Sequence, residues 1–485
     1  MYKRQAECLL CGSRITYIDP ETGRVYRSKG EASDRAVQGR LEFYPKYSIR
    51  EWNRRLEEYL AGRITLEELR SSPARPRLLV KVKVVEKDLK FEACNEEDNE
   101  KIWETLERLK QIWGDPDIPT ELTEPYCSST YHTIVWGFDK FYKLFNPRQL
   151  LTLTKLVKLI REAGKKIEEE KIKEGWSKEE AFNYTEAITT YLAITLCKLV
   201  NYNSITTRWD STWWKIGETL STRGIAMNWN WCDIDPVSNF IGSWNKSLNS
   251  LINGLSYLVS AVSGSSSRVR VILEDATVLS KLGDEKFNVI VTDPPYRDDV
   301  PYAELSDFYY VWLRRALSDD NLAPRFHADA LIYNTQWEAF ALNEISYNRG
   351  RLEYFGIKET EDHYQRLMGM AFNKMAELLE DNGLIVTYFA HSSPQAWIEL
   401  IEAGWKRANL KITKAWNLST ESAQRVTARG KTALESSIVV VWRKRGDDER
   451  VAEYNVAYDE ALKNAERAYE TSLKSGLTSS DLFLA

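Results

Sequence analysis

The spacing of apolar and polar residues changes near residue 264. Before this point apolar side chains recur every three or four positions, as at Leu150, Leu153, Val157 and Ile160, and that period predicts amphipathic helices. Beyond it, short apolar runs alternate with helical patterns, which predicts strands connected by helices. The small polar run Gly264–Ser267 separates the two regions. We therefore expect a large, mainly helical N-terminal region followed by an α/β core.

Capping residues predict where the N-terminal helices begin. A serine, threonine or asparagine followed three residues later by glutamate or glutamine satisfies the first unpaired N–H groups of a helix. Valines that alternate with Lys81 and Lys83 predict a strand whose lysines are solvated. The predicted elements are helices from Ser48 to about residue 61, from Thr65, from Asn146, from Ser177 to about Val200 and from Asp235 to about Val262, and a strand at 78–87.

Five apolar runs beyond residue 264 have the length of strands. These runs are Val269–Leu273, Phe287–Thr292, Leu384–Phe389, Leu410–Trp416 and Ser436–Trp442, with predicted helices at Asp362–Leu379, Gln395–Ala408 and Asp447–Lys474. Since the last two strands are close in sequence, they are expected to pair antiparallel in a doubly wound α/β sheet. The predicted regions are an inserted region at 1–130, which begins with the cysteine pair discussed below, a helical region at 131–263, the α/β core at 264–445 and a helical tail at 446–485.

Composition narrows the class of protein only a little. The chain has 485 residues, of which 43% are hydrophobic, so a globular protein is expected. It has neither an apolar run long enough for a membrane span nor a secretory leader, which favours a cytoplasmic location without membrane contact. The net charge of -5 argues against nucleic-acid binding through bulk charge, although a local basic groove stays open. Most of the 17 tryptophans and 25 tyrosines are expected to pack in cores, with base stacking as the alternative.

The tetrapeptide Asp293-Pro294-Pro295-Tyr296 directly follows the predicted strand Phe287–Thr292. Ligands of open parallel sheets lie outside the carboxyl ends of the strands, so this tetrapeptide is a candidate site. It resembles the signature of methyltransferases that act on the exocyclic amine of a nucleic-acid base. The alternative interpretation is a turn that has this sequence by chance.

The signature implies a reaction that needs neither a metal nor a general base before attack. Two prolines fix the backbone and remove two N–H donors, so that carbonyl groups can face an amine. An adenine amino group would donate one hydrogen bond to Asp293 and one to the Pro294 carbonyl. This geometry takes the nitrogen lone pair out of conjugation and directs it at a sulfonium methyl group. Tyr296 is expected to stack on the base, which has to leave its duplex to reach the site.

A second acid, Asp275, follows the predicted strand Val269–Leu273 and precedes Asp293 by 18 residues. We expect Asp275 to contact the adenine end of S-adenosylmethionine at the same edge of the sheet. The alternative is a carboxylate that only caps a turn or a helix.

The six cysteines do not form a disulfide framework. Cys8 and Cys11 have the spacing of half a zinc ribbon, but no second pair with this spacing follows to complete a tetrahedral site. Whether a metal is bound is therefore open, and reduced, metal-free cysteines are the alternative. Cys197 lies among apolar residues of a predicted helix and is expected to be a core residue rather than a nucleophile.

Together these motifs give the chain a resemblance, over most of its length, to the zinc-ribbon-containing adenine-specific DNA methylases. The segments that carry it are Cys8-Leu9-Leu10-Cys11-Gly12, Leu144–Leu150, Tyr202-Asn203-Ser204, Gly242-Ser243-Trp244, Thr292–Arg315, Tyr388-Phe389-Ala390-His391 and Ser436-Ser437-Ile438-Val439. The resemblance implies a Rossmann-like class I methyltransferase sheet, S-adenosylmethionine as methyl donor and a flipped-out DNA adenine as acceptor. It also implies a defence or modification setting.

The chain departs from that family in two motifs and in its expected extent. Members carry a Phe/Gly-rich loop that wraps the methionine half of the cofactor, and no such loop precedes or follows Asp293. A lysine usually follows the strand-end histidine, but Ser392 follows His391 here, so His391 is expected to be structural. We expect an incomplete gene product, truncated at both ends and lacking the first two strands of the sheet. Such a chain would be inactive alone and would need a partner polypeptide carrying the glycine-rich loop.

A different class of function also fits these motifs. A non-enzymatic nucleic-acid-binding or scaffold subunit could retain the base pocket after losing cofactor binding. A methyltransferase acting on RNA or on protein glutamine is a further alternative, although the asparagine form of the motif that such enzymes usually have is absent. The sequence does not decide whether the substrate is DNA or RNA, or whether the acceptor base is adenine or cytosine. It also does not give the recognition sequence or the oligomeric state.

Overall fold

A computed structural model gives the fold of most of the chain. It describes residues 6–7, 14–86, 88–123, 132–220, 224–228, 230–297, 300–323, 325–326, 341–358, 360–419, 436–446 and 453–474. The helices are α1 (Arg35–Arg40), α2 (Tyr44–Leu60), α3 (Leu66–Arg70), α4 (Glu96–Gln111), α5 (Pro147–Lys173), α6 (Lys178–Tyr202), α7 (Trp244–Val262), α8 (Tyr302–Leu317), α9 (Arg349–Tyr354), α10 (Thr360–Leu378), α11 (Pro394–Glu402) and α12 (Tyr454–Lys474). Within the described ranges, none of them has both the length and the apolar character that a membrane span requires.

The strands are mostly short outside one four-stranded sheet. They are β1 (Ala6–Glu7), β2 (Arg14–Ile15), β3 (Tyr17–Ile18), β4 (Val25–Tyr26), β5 (Glu42–Phe43), β6 (Val80–Val85), β7 (Asp88–Ala93), β8 (Arg208–Asp210), β9 (Lys215–Gly217), β10 (Phe287–Thr292), β11 (Leu379–Phe389), β12 (Leu410–Ser419) and β13 (Ser436–Lys444). The chain divides into two compact units, residues 1–263 with 305–335 and residues 264–304 with 336–485.

Helices α5 and α6 of the first unit begin where their caps predict. The Asn146 side chain accepts hydrogen bonds from the backbone N–H groups of Arg148 and Gln149, and Pro147 is the first residue of α5. Ser177 and Glu180 form the predicted capping box of α6. The predicted apolar stripe of α5 is buried, so the helical interpretation of this region is confirmed at these two elements.

Two predicted helix starts in this unit are wrong. Helix α2 begins at Tyr44, so Ser48 lies inside it rather than capping it, and Pro45 in the first turn marks the true start. Helix α7 begins after Ser243 rather than near Asp235. The preceding Gly242 has a φ of +90°, and a Cβ atom there would lie 2.5 Å from the Tyr202 ring. This left-handed glycine prevents the helix from extending further back.

The second unit is built on a mixed four-stranded sheet with the order β10-β11-β13-β12. Strand β10 is parallel to β11, and β13 is antiparallel to both β11 and β12. The predicted antiparallel pair is therefore confirmed, and the fold is mixed α/β. Helices α10 and α11 pack on one face of this sheet, with Phe372 and Leu400 buried against Ile385 and Trp442.

The opposite face of β10 and its outer edge are exposed in the part of the chain that the structure describes. Alternate residues of a strand point to opposite faces; Ile290 packs towards the core, whereas Val289 and Val291 are exposed, Val291 to 64%. Strand β10 pairs on one side only, with β11, among the described strands. Parallel strands are ordinarily buried on both faces, so this exposure is unusual.

The predicted strand Val269–Leu273 is wrong. Residues 268–275 form no helix or strand, and Val271 is 92% exposed. The apolar pattern there suits a strand, but a strand exists only when its backbone N–H and C=O groups meet those of a neighbour. No described strand lies beside this segment to supply them.

Candidate functional site at the end of strand β10

Asp293 directly follows β10, at the carboxyl end of the parallel pair β10 and β11. Its side chain is exposed, while Pro294 and Pro295 are partly buried. The apolar run of β10 forms an ordinary strand, and Pro294 and Pro295 cannot donate further hydrogen bonds to a sheet ladder. Strand pairing therefore ends where the candidate site begins.

One oxygen of the Asp293 carboxylate is held by a neighbouring tyrosine. The Tyr296 hydroxyl donates a hydrogen bond to Oδ1 of Asp293 at 2.7 Å. Within the described part of the chain, Oδ2 of Asp293 and the carbonyl oxygen of Pro294 accept no hydrogen bond. The end of β10 thus presents two hydrogen-bond acceptors from adjacent residues, one of them charged.

Tyr296 is restrained at its ring and at its hydroxyl group. Its ring meets the buried Phe389 ring edge-on, with centroids 5.2 Å apart. Burial raises the pKa of the Tyr296 phenol, as do the hydrogen bond and the charge of Asp293, while a hydrogen bond with the Ser437 side chain opposes this rise. The phenol therefore stays protonated at neutral pH and acts as a donor to Asp293.

The backbone after the prolines is fixed by contacts from three other segments of the same unit. The Pro295 carbonyl accepts hydrogen bonds from the Tyr364 hydroxyl and from the Arg297 backbone N–H, each at 3.0 Å. The Arg297 guanidinium donates to the buried Glu399 carboxylate at 3.0 Å and lies 4.6 Å from the centre of the Tyr347 ring. Because Arg297 has a left-handed φ of +59°, these contacts hold it in a conformation that costs energy.

The segment after β11 is linked to the site through Phe389, whose ring contacts both Tyr296 and Trp397. His391 Nδ1 accepts a hydrogen bond from the Ser393 backbone N–H at 3.0 Å, and the His391 carbonyl accepts from the Trp397 indole at 2.9 Å. The Trp397 ring packs edge-on against Phe389 at 5.0 Å. These contacts shape the turn that leads into α11.

Asp275 lies in a turn of its own. Its Oδ1 accepts hydrogen bonds from the backbone N–H and from the hydroxyl of Thr277, both at 2.7 Å. The structure therefore brings together Asp293, Pro294, Pro295 and Tyr296, whereas Asp275 has the geometry of a turn cap.

The cysteines of the described residues show no metal site. Cys8, Cys11 and Cys127 lie outside the described residues. In the described ranges no group of three or more histidine, cysteine or acidic side chains could hold a metal ion. Burial raises the pKa of the Cys197 thiol to about 12, so this thiol is a poor nucleophile at neutral pH.

Several residues that shape the site were not found from the sequence. Tyr364 contacts the tetrapeptide from a position far along the chain, and no local pattern identifies it. Ser437 lies in a segment that carries the resemblance, but its hydrogen bond with the Tyr296 side chain was not expected. In comparisons with known proteins, no family model, no curated protein and no solved structure matches this chain.

Proposed function

We propose that this chain carries the acceptor side of an S-adenosylmethionine-dependent methyltransferase that acts on the exocyclic amine of adenine in DNA, in a defence or modification system. The observation that supports it most is the pair of adjacent acceptors, Asp293 Oδ2 and the Pro294 carbonyl, at the end of a parallel strand. An exocyclic amine has two N–H donors, which match two such acceptors.

The residues of the site support this chemistry in distinct ways. When the two N–H groups of the amine are held by Asp293 and Pro294, the nitrogen lone pair is no longer shared with the ring and can attack. The hydroxyl of Tyr296 fixes the carboxylate through its other oxygen. The hydrogen bonds to the Pro295 carbonyl fix the adjacent peptide, so that the acceptors need not reorganise during the reaction. S-adenosylmethionine would supply the methyl group.

The described residues fit S-adenosylmethionine poorly. Asp275, the residue expected to contact it, uses an oxygen within its own turn, and the segment before it lies outside the sheet. In this proposal the residues of this chain bind the acceptor amine, and the contacts to the cofactor come from elsewhere. In this proposal the four strands, with β13 antiparallel between β11 and β12, correspond to one half of a Rossmann-like class I methyltransferase sheet.

A partner polypeptide carrying the glycine-rich loop completes the proposal. Val289 and Val291 leave one face of β10 exposed, and the strand has no described neighbour on its outer edge. An open parallel edge with exposed valines is a surface that proteins ordinarily cover. A partner that adds strands at this edge would cover it and would place a cofactor loop beside Asp293.

The proposal is tested by comparing two preparations of the full chain. One is the purified chain alone, and the other is the tagged chain recovered from its source cells together with the polypeptides bound to it. Each is incubated with adenine-containing DNA and labelled S-adenosylmethionine. We expect methyl transfer only from the second preparation. Transfer by the chain alone would show that it contains a complete cofactor site, and transfer by neither would contradict the proposed activity.

One observation favours a second candidate function, a non-enzymatic nucleic-acid-binding or scaffold subunit. Oδ1 of Asp275 is used within its own turn, as expected for a chain that retains a base pocket without a cofactor site. Calorimetry with S-adenosylmethionine on the recovered assembly separates the two candidates. Measurable binding supports the methyltransferase, and absence of binding supports the scaffold.

A further inference from the structure

The residue directly after the tetrapeptide carries a cationic side chain that is held by two contacts. The Nε of Arg297 donates to the Glu399 carboxylate, at 3.0 Å to Oε2 and 3.3 Å to Oε1. The guanidinium carbon of Arg297 lies 4.6 Å from the centre of the Tyr347 ring. The side chain of Glu399 is only 5% exposed. These contacts fix the direction of the guanidinium group before any ligand binds.

Most donors of this guanidinium group stay available. An arginine side chain has five N–H groups, of which Nε carries one. Neither Nη atom of Arg297 donates a hydrogen bond to another residue in the described ranges. Because neither is among the buried atoms that lack a partner, both are accessible to solvent. The side chain is thus clamped at Nε, while the two Nη groups are open to a ligand.

Packing contacts place this guanidinium group at the same edge of the sheet as the tetrapeptide. Glu399 lies in α11, which begins shortly after the end of β11. Trp397 of this helix packs against Phe389 at the end of β11, and Phe389 packs against Tyr296. Arg297 therefore reaches α11 beside the same aromatic group that supports the acceptor site.

The backbone of Arg297 is strained. Its φ of +59° lies in the left-handed region, which residues other than glycine seldom adopt. Its N–H donates to the Pro295 carbonyl at 3.0 Å, and its carbonyl accepts from the Tyr347 N–H at 2.8 Å. Glycine would form this turn at a lower cost. The turn itself does not require an arginine, and strain of this kind is typical of functional sites.

A clamped guanidinium group with free Nη donors suits a phosphate. The parallel N–H groups of arginine match two oxygens of one phosphate group. A flipped base stays attached to its sugar and phosphates, and contacts to these phosphates fix the position of the nucleotide. A guanidinium group next to the acceptor site is therefore in a position to hold the backbone of the nucleotide whose base enters that site.

We infer that Arg297 binds a phosphate group that flanks the acceptor nucleotide, and that Glu399 and Tyr347 are positioning residues that orient its guanidinium group. This inference rests on the proposed function, because the phosphate belongs to the nucleic acid whose base occupies the acceptor site. It adds a contact to the backbone of the substrate, which the tetrapeptide does not supply.

Neutral phosphate analogues test the contact without requiring turnover. The probes are fluorescent single-stranded oligothymidylates with one central adenine. In one probe methylphosphonates replace the two phosphates beside the adenine, and in another they replace two phosphates near one end. Each probe is titrated into the tagged full chain as recovered from its source cells. The unaltered protein should bind the centrally altered probe roughly 10-fold more weakly than the terminally altered one, since a hydrogen bond between charged groups has about that effect.

Three variants make the outcome specific to Arg297. Arg297→Gln removes the charge but keeps an amide that can donate to Glu399, so it should bind both altered probes equally. With the unaltered probe, the slope of log affinity against log salt should also become shallower by about 0.7, the value for one phosphate of a single strand. Arg297→Lys keeps the charge and should keep part of the difference. Arg349→Gln removes an exposed arginine of the same unit, which pairs with Glu353, and should behave as the unaltered protein.

The outcomes separate this inference from the proposed function, with an all-thymine probe as reference. If the unaltered protein prefers the adenine probe but binds both altered probes equally, the inference alone is overturned, and this result needs no variant. It is also overturned alone if Arg297→Gln distinguishes the altered probes as the unaltered protein does, because Arg297 then only holds the loop. If the unaltered protein shows no preference for adenine over thymine, the acceptor pocket and the inference both fail. A difference between the altered probes that Arg297→Gln abolishes supports the inference.

Discussion

At the scale of single residues, the two oxygens of the Asp293 carboxylate have different hydrogen-bonding roles. Tyr296 takes Oδ1 of Asp293, and Oδ2 is left beside the Pro294 carbonyl. A carboxylate that rotated freely would present either oxygen, so the hydroxyl of Tyr296 selects one geometry. This is the preorganisation that aids catalysis when the acceptors need not move.

The hydrogen bond between Tyr296 and Asp293 should stabilise the fold in a pH-dependent way. Since folding raises the pKa of the Tyr296 phenol above its usual value near 10, the stabilisation is fully present below about pH 10 and is lost as the pH rises through the folded-state pKa. Tyr296→Phe should lower the free energy of unfolding by about 1 kcal/mol at neutral pH. That difference should shrink above pH 10.

Urea unfolding, followed by tryptophan fluorescence at several pH values, measures this difference. Tyr458→Phe is the control, because it removes a hydroxyl from an exposed tyrosine outside the site. Equal stability of Tyr296→Phe and the unaltered chain at neutral pH would mean that the hydrogen bond contributes nothing. A difference that persists unchanged at high pH would mean that its cause is packing rather than the phenol proton.

The local part of the site could be predicted from the sequence, and the distant part could not. Asp293 and the two prolines follow an apolar run, so their position at a strand end is a local property. The contacts of Tyr364 and Ser437 depend on how α10 and β13 pack around the sheet. Asp275 followed an equally apolar run, but that run has no paired neighbour, so its strand-end position did not form.

At the scale of elements, the contrast between β10 and the segment 269–273 shows what a strand requires. Both have alternating or continuous valine and isoleucine, and both were predicted as strands. Strand β10 pairs with β11 over Phe287–Thr292, whereas the other segment has no described partner. The residue types of a segment favour an extended backbone, but a strand forms only where a neighbouring strand pairs with it.

Hydrogen exchange should distinguish the edge strand β10 from the interior strand β13. Strand β13 pairs on both edges, with β11 and β12, while β10 pairs on one edge among the described strands. Amides of β13 should therefore exchange more slowly than those of β10 in the isolated chain, because exchange requires an amide without a partner. Mass spectrometry of peptic peptides measures both. Equal protection of the two strands would show that the outer edge of β10 is already covered.

At the scale of the whole molecule, exposed apolar surface predicts association. The face of β10 carries Val289 and Val291, and helix α7 in the other unit exposes Leu258, Val259 and Val262. Surfaces of this kind favour binding or aggregation. The general α/β character and the helical N-terminal region could be predicted from the change of period near residue 264. The exposure of Val289 and Val291 could not be predicted, because it depends on which elements lie beside the sheet.

A charge on the open edge should reduce that association. Val291→Lys places an ammonium group on a 64% exposed position, and charges on edge strands oppose pairing with another chain. We expect less aggregate and less co-purifying polypeptide, measured by size-exclusion chromatography with light scattering. Val456→Lys, on the exposed face of α12 at 59%, is the matched control. Unchanged association of Val291→Lys would exclude the β10 edge as the binding surface.

One measurement tests directly whether Asp293 accepts a hydrogen bond from an adenine amine during methyl transfer. DNA treated with labelled S-adenosylmethionine and the recovered assembly is digested to nucleosides, and N6-methyladenine is quantified by mass spectrometry. The assembly contains the unaltered chain, Asp293→Ala, or Asp381→Ala as an exposed aspartate remote from the site. We predict N6-methyladenine with the unaltered chain and with Asp381→Ala, and none with Asp293→Ala, while DNA affinity stays nearly unchanged because phosphate contacts dominate it. Equal N6-methyladenine with Asp293→Ala would contradict the account.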